Sequence, residues 1–410
     1  MTAVAREDHA VAPGHRVTTL ELFFDLVFVY AITQVTQLMA DDLTGRGALR
    51  GLLVIALLWW CWCCYAWLGT TVRADAGRNR LVVLGAMYVM FLIALTIPES
   101  FDDLPGGLDG PLLFAGCYLA VRLLHVCAYA LAGKGDRDLQ AVLRRMAVPM
   151  LGGSALLAVA AFTDGPLQLG LWAAALLIDY VGVFLNGGGS WRMESPEHFA
   201  ERHGLILIVA LGESIVAIGI GMGGQPMSWL VVATALGGLV ISGSLWWMYF
   251  TVVAHRAEEA LSRAAGTARA ALARDAYTFL HLPMVAGVVL LALGLKKALE
   301  YTADVEHHTP FDPLYGVPLW GLSAGTALFV LAQVVFRRRS TGSWNAGRLV
   351  LVAVLVLATP LLGLLPAAAA VGVVAASCVA LLAYEALRPR ESAADDADDV
   401  AEVPVPDYRD

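Results

Sequence analysis

TLELFFDLVFVYAITQ, residues 19–34, is apolar enough to enter a bilayer, yet it carries Glu21 and Asp25. Residues four apart lie on one face of a helix. A membrane helix that starts with two acids on one side has to account for both of them. Thr18-x-x-Glu21 has the form of a capping box, in which the threonine caps the helix and the glutamate reaches back to its N–H. Glu21 is therefore the weaker site candidate of the two. Asp25 lies past the first turn and has no capping role, so it is expected to face the protein interior.

The rest of the chain sets the context. Of 410 residues, 59% are hydrophobic and 15% charged, and the mean hydropathy is +0.69. A soluble domain would carry about a quarter charged residues. The surplus apolar surface has to face lipid. Apolar runs of spanning length recur near 19–40, 49–70, 81–98, 110–132, 144–162, 166–186, 202–223, 229–250, 275–297, 314–336, 347–365 and 367–387. The pattern predicts an all-α, polytopic transmembrane bundle of about twelve spans, or eleven if the last two merge across Leu364–Pro366. Residues 1–17 are polar and lack the apolar core of a signal peptide, so the first helix is expected to direct insertion. The net charge of −8 is carried mostly by residues 391–410, which hold eight acids against one arginine. Such an acidic, low-complexity tail is expected to be disordered.

Loop charges predict the orientation. With the N-terminus inside, 22 of the 27 Lys and Arg fall on cytoplasmic segments. Four (Arg46, Arg50, Lys296 and Lys297) fall outside, and Arg122 lies within a span. Both termini are thus expected on the cytoplasmic side of the membrane. Glu21 at the start of helix one and the Glu201-Arg202 pair at helix seven, with Trp59-Trp60 in helix two and Trp246-Trp247 in helix eight, suggest a parallel repeat. Its halves would be 18–190 and 195–390 within a bundle of 18–390.

A charge at bilayer depth costs about 2.5–3.5 kcal/mol on insertion scales, so each one calls for a partner or a role. Counted along their runs, Glu213 and Arg122 both fall at the midplane, and an ion pair between them is the economical expectation. It would either lock two helices or act on a solute. Asp25, His125, Asp179, His203 and His281 fall in the inner third, which suggests a polar cavity open to the cytoplasm. A histidine at a helix end is more often interfacial, and His203 is the weaker candidate for that reason. Ser195-Pro196 reads as a helix start, with Glu197, Glu201 and Arg202 on a solvated lead-in turn after an Asn186–Gly189 hinge. Asp102 and Asp103 read as loop residues without partners. The six cysteines lie in apolar runs and imply no disulfide framework. WWCWCC, residues 59–64, reads as packing rather than a metal site. No catalytic triad, HExxH, DDxxD or phosphate loop occurs in the spans. The expected partners are the bilayer and a small solute, ion or lipid; no nucleic acid, cofactor or metal is expected, and the oligomeric state is open.

ELFFDLVFVYAITQ and ERHGLILIVALGESIVAIG, with WWCWCCYAW, YLAVRLLH, SLWWMYF and AYTFLHLPMVAG, resemble blocks of the bacterial low temperature requirement A (LtrA) family, in the same order. The resemblance covers roughly residues 16–300 and implies a polytopic inner-membrane protein without implying a chemistry. His203 departs from it, standing where that block would carry an aromatic residue. FFDLVFVYAIT is also similar to the first helix of potassium channels with a Phe-Ser-Asp signature, over that helix alone. Three readings follow. The first is a transporter of an ion or small solute, with proton linkage through buried carboxylates and histidines. The second is a membrane-embedded enzyme using Glu or Asp as a general acid on a lipid or isoprenoid. The third is a non-catalytic stress or assembly factor. The charge split predicts that reporter fusions at Arg409 and at Asp103 report opposite sides of the membrane; the same side for both sinks the twelve-span topology.

Overall fold

The computed structural model describes residues 16–70, 77, 79–132, 137–185, 193 and 195–387. Most of the N-terminal segment, the 186–189 hinge and the acidic tail lie outside the described residues. Those described form no strand and twelve long helices, one at each apolar run. They are α1 Thr19–Asp41, α2 Gly45–Gly69, α3 Asn79–Glu99, α4 Gly110–Ala132, α5 Arg137–Ala160 and α6 Gly165–Leu185. There follow α7 Pro196–Gly221, α8 Trp229–Arg263, α9 Gly266–Ala303, α10 Gly316–Thr341, α11 Ala346–Leu362 and α12 Ala367–Leu387.

Among the described residues, ten of the twelve are long and apolar enough to cross a membrane. α11 is a shorter apolar helix of 17 residues. The protein is an all-α, multi-pass membrane protein. α11 and α12 do not merge, because the chain turns between Leu362 and Ala367. α8 and α9 run well past their apolar runs, to 35 and 38 residues. Hydropathy ends a span at the first charges, but AHRAEEALSR (254–263) is rich in strong helix formers and continues the helix beyond the apolar stretch.

The chain divides into two compact units. One holds residues up to Ala217 with Ala265–Ala271, and the other Ile218–Ala264 with Leu272 onward. In the first, α1 packs on α2 and α3, α4 on α3 and α5, and α6 on α5. α2 is its most enclosed helix: Trp59, Trp60, Cys61, Trp62, Cys63, Cys64, Tyr65 and Trp67 are all buried. Trp60 lies against Tyr180 of α6 at 4.6 Å and Trp67 against Phe199 of α7 at 5.0 Å between ring centroids. Asp102 is not without a partner, since it accepts from Arg50 at 2.7 Å, and Asp103 accepts from the N–H of Gly110 at 3.0 Å. A loop aspartate ahead of a helix start is well placed to take such donors.

In the second unit α9 is central, packing on α8, α10 and α12. Lys296, counted above among outer charges, is a buried residue inside α9. Arg348, counted as a loop charge, is also buried. It donates to Glu385 at 2.9 and 3.1 Å, to Gln333 at 2.6 Å and to the carbonyl of Met248 at 3.0 Å. Four helices are tied through that one guanidinium. Small residues let α9 and α10 meet backbone to backbone. A Cβ on Gly287 would stand 2.7 Å from the carbonyl oxygen of Gly325 and 2.8 Å from the amide nitrogen of Phe329. No flexible side chain can yield there. Gly287→Ala is therefore expected to destabilise the protein by about 2 kcal/mol through overpacking, read as an earlier loss of helical signal on denaturant titration in detergent. An unchanged transition contradicts the close approach.

Candidate functional site at the start of α1 and α7

The inner face of α1 is polar and its outer face apolar. Glu21 and Asp25 are buried with Phe24 and Phe28, whereas Leu22, Phe23 and Leu26 are exposed. This reverses a soluble amphipathic helix and suits a lipid surround. The Thr18 box forms as the sequence predicts. The Glu21 carboxylate accepts from the Thr18 N–H and hydroxyl, both at 2.9 Å, and the Glu21 N–H donates back to Thr18 at 3.3 Å.

Glu21 also does a second job. α7 presents His198 and Arg202, again four residues apart, and the two spacings match. Arg202 Nη1 lies 3.1 Å from Glu21 Oε1, and Nη2 lies 2.8 Å from Asp25 Oδ1. His198 Nε2 lies 3.0 Å from Glu21 Oε1. From α2, Trp62 Nε1 donates to Asp25 Oδ1 at 2.8 Å. Its ring also lies 5.5 Å from the Arg202 guanidinium carbon. None of Glu21, Asp25, His198 and Arg202 is more than 3% exposed. Arg202 thus corrects the expectation of a solvated lead-in turn: the helix starts at Pro196, and its first two turns point a cation inward. Glu201, its neighbour, is exposed and accepts from the N–H of Val17 at 3.1 Å. His198 and Arg202 are the site residues the sequence reading missed. The matching signal was there, as E-x-x-x-D in α1 and H-x-x-x-R in α7.

Further along the same two helices, Thr33 donates to Glu213 at 2.5 Å. Residues 21 and 25 meet 198 and 202, and 33 meets 213, so α1 and α7 run parallel. From Asp25 to Thr33 is eight residues, about 12 Å along the helix.

The expected Glu213–Arg122 pair does not form. Arg122 Nη2 donates instead to Asp179 Oδ1 at 3.1 Å, and Tyr118 donates its hydroxyl proton to Asp179 Oδ2. The guanidinium lies by the rings of Trp60 and Tyr118, at 5.6 and 5.8 Å. Equal depth along two sequences does not decide which helices are neighbours. α6 packs on α2 beside α4, with Tyr180 bonded to the Ala56 carbonyl at 3.2 Å, and so Asp179 is the acid that meets Arg122.

The three histidines go elsewhere. His125 lies among aromatic rings, 5.7 Å from Tyr65 and 5.0 Å from Tyr129. His203 sits among Trp59, Trp62 and Phe199, at 5.9, 4.9 and 4.3 Å, with Nδ1 2.9 Å from the Phe199 carbonyl oxygen. It occupies an aromatic niche, as its place in the resembling block suggests. His281 belongs to the second unit, where its Nε2 meets the Tyr249 hydroxyl at 2.7 Å and its ring stacks on Tyr277. The structure therefore joins Glu21 and Asp25 around Arg202, and separately Arg122 and Asp179.

A cavity of about 20 Å³ opens on the first cluster, lined by Glu21, Phe24, Tyr65, Gly69, Asn79 and Arg202 among others. Its walls are mostly apolar, with Glu21, Tyr65, Asn79 and Arg202 as the polar lining, and it has room for about one water. Gly69 is required there: a Cβ would stand 2.8 Å from Glu21 Oε1 and 3.1 Å from His198 Cε1. No group of three or more His, Cys, Asp or Glu among the described residues could hold a metal ion.

Breaking a buried ion pair on one side leaves an uncompensated charge and costs about 3–5 kcal/mol. Arg202→Gln is expected to lose that much stability, and adding Asp25→Asn to recover part of it. Thermal unfolding of the purified variants in detergent checks this; equal stability of the single variant and the parent removes Arg202 from the centre of the site.

Residues 16–383 match the family described as bacterial low temperature requirement A protein (LtrA). An uncharacterized protein of Rhizobium meliloti (strain 1021) is 29% identical over 298 residues, covering 68% of this chain and 69% of that protein. No solved structure matches. With the match running from ahead of α1 into α12, the chain belongs to the bacterial low temperature requirement A family.

Proposed function

We propose that this LtrA-family protein carries an ion or small solute across the bacterial inner membrane, with both termini in the cytoplasm and with proton linkage at the Arg202 cluster. The supporting observation is a pair of facing polar contacts at two depths on α1 and α7. Glu21 and Asp25 meet His198 and Arg202, and Thr33 meets Glu213 about 12 Å farther along α1 than Asp25. A purely structural lock needs one such contact; polar contacts at two depths along the same helix pair suit a path. By the positive-inside charge distribution, the start of α1 and α7, and with it the cavity, faces the cytoplasm.

The enzyme reading fits less well. A pocket for a drug-sized or isoprenoid ligand is typically about 300–1,000 Å³. The cavity at the carboxylates holds about 20 Å³. That suits a water, a proton or a small ion. The experiment is flux into dye-loaded proteoliposomes under imposed proton, sodium or potassium gradients. Flux above empty vesicles, reduced at least tenfold by Asp25→Asn, is expected. Absence of flux for every ion, together with an altered lipid profile in cells carrying the variant, would favour the enzyme.

A further inference from the structure

We propose that the ion coupled at this site is a proton and that it resides on Oδ2 of Asp25, in the cluster whose Glu21 and Arg202 border the cavity. The inference deepens the transport reading and rests on it for the word coupled; the location of the proton stands on geometry alone.

The first observation is a charge imbalance. One guanidinium, Arg202, faces two carboxylates, Glu21 and Asp25, in surroundings from which solvent is excluded. With both acids ionised and His198 neutral, the cluster carries one uncompensated negative charge. A buried charge of that kind calls for a partner or a proton.

The second observation says which atom takes it. Glu21 is surrounded by donors: the Thr18 N–H, the Thr18 hydroxyl, His198 Nε2 and Arg202 Nη1. Every one of them favours the carboxylate. Asp25 is arranged differently. Trp62 Nε1 and Arg202 Nη2 both converge on Oδ1, each at 2.8 Å. Oδ2 is buried and accepts from no group among the described residues. An ionised carboxylate presents two equivalent acceptor oxygens, whereas a carboxylic acid presents one acceptor and one hydroxyl. Two donors on one oxygen and none on the other match the acid, with the hydroxyl at Oδ2.

The other titratable and charged groups near Asp25 do not take that place. On its own helix there is Glu21. α7 brings His198, Arg202 and His203. His198 Nε2 is directed at Glu21, and His203 Nδ1 at the Phe199 carbonyl. α2 brings Tyr65, which packs on Phe24 at 5.2 Å and lines the cavity. The cavity touches Glu21 and Arg202, and Asp25 comes next, bonded to the same guanidinium. The step balances simply. A hydronium ion gives up a proton to the cluster, an O–H bond forms at Oδ2, water remains, and the net charge of the cluster goes from −1 to zero.

The test is infrared difference spectroscopy between acid and alkaline buffer on the full chain in lipid vesicles, with proton flux measured in the same vesicles. The wild-type protein should show the C=O stretch of a protonated carboxyl, shifted on exchange into deuterium oxide. Asp25→Asn should lose that band, and Glu21→Gln should keep it. The asparagine retains the Oδ1 acceptor and places an NH₂ where the hydroxyl would be, so folding is expected to survive. Should it not, Trp62→Phe removes one of the two donors to Oδ1 and should shift the band's frequency. A band that persists in Asp25→Asn, an unmoved band in Trp62→Phe, or no band in the wild type (the proton being then on His198) overturns the assignment. A band that vanishes with Asp25 while no flux occurs upholds the proton site and removes the transport reading. Flux with a band indifferent to Asp25 does the reverse.

Discussion

An arginine side chain held between two carboxylates inside a membrane protein is a demanding arrangement. Each buried charge gives up its hydration, and the attraction of opposite charges repays that loss only when the geometry is good. At Arg202 that condition shapes the surrounding structure. The guanidinium uses separate nitrogens for Glu21 and Asp25. Trp62 gives Asp25 a second donor and lays its ring beside the cation. Gly69 has no side chain because Glu21 and His198 occupy the space. α1, α2 and α7 are thus fixed against one another by chemistry, in a medium where apolar contact alone does little to hold helices together.

The same solution recurs in other forms. Arg122 is held by Asp179 and faced by Trp60 and Tyr118. Arg348 is held by Glu385, Gln333 and the Met248 carbonyl. In each case a planar, always-charged guanidinium joins separate helices, which a lysine with its single point charge would do less well. The clusters differ in their balance. Arg122 and Arg348 each meet one carboxylate, whereas Arg202 meets two carboxyl groups.

The positions of the helices were legible in the sequence because the requirement for lipid-compatible surface writes itself as runs of fixed length. So was the inward turn of Asp25, since an acid past the capping turn of a span has nowhere else to go. The family was legible too, from blocks such as ELFFD and YLAVRLLH. What escaped were matters of neighbourhood. Arg122 and Glu213 share a depth, but depth is one coordinate of three, and α6 rather than α7 supplies the acid. Arg202 and Arg348 sit at the polar ends of their runs, where composition resembles a loop, and only the helix phase turns them inward. The ends of α8 and α9 were missed for a related reason: hydropathy marks where lipid stops, and helix propensity carries the chain further.

The capping box at Thr18 adds one more link. Glu21 holds the first turn of α1 in place and is at the same time a ligand of Arg202. Start of helix and charge balance therefore share a single carboxylate. A change in the ionic state of the cluster redistributes the donors around Glu21, and with them the grip on the first helical turn. The electrostatics of the cluster and the start of the first helix are therefore two readings of one carboxylate.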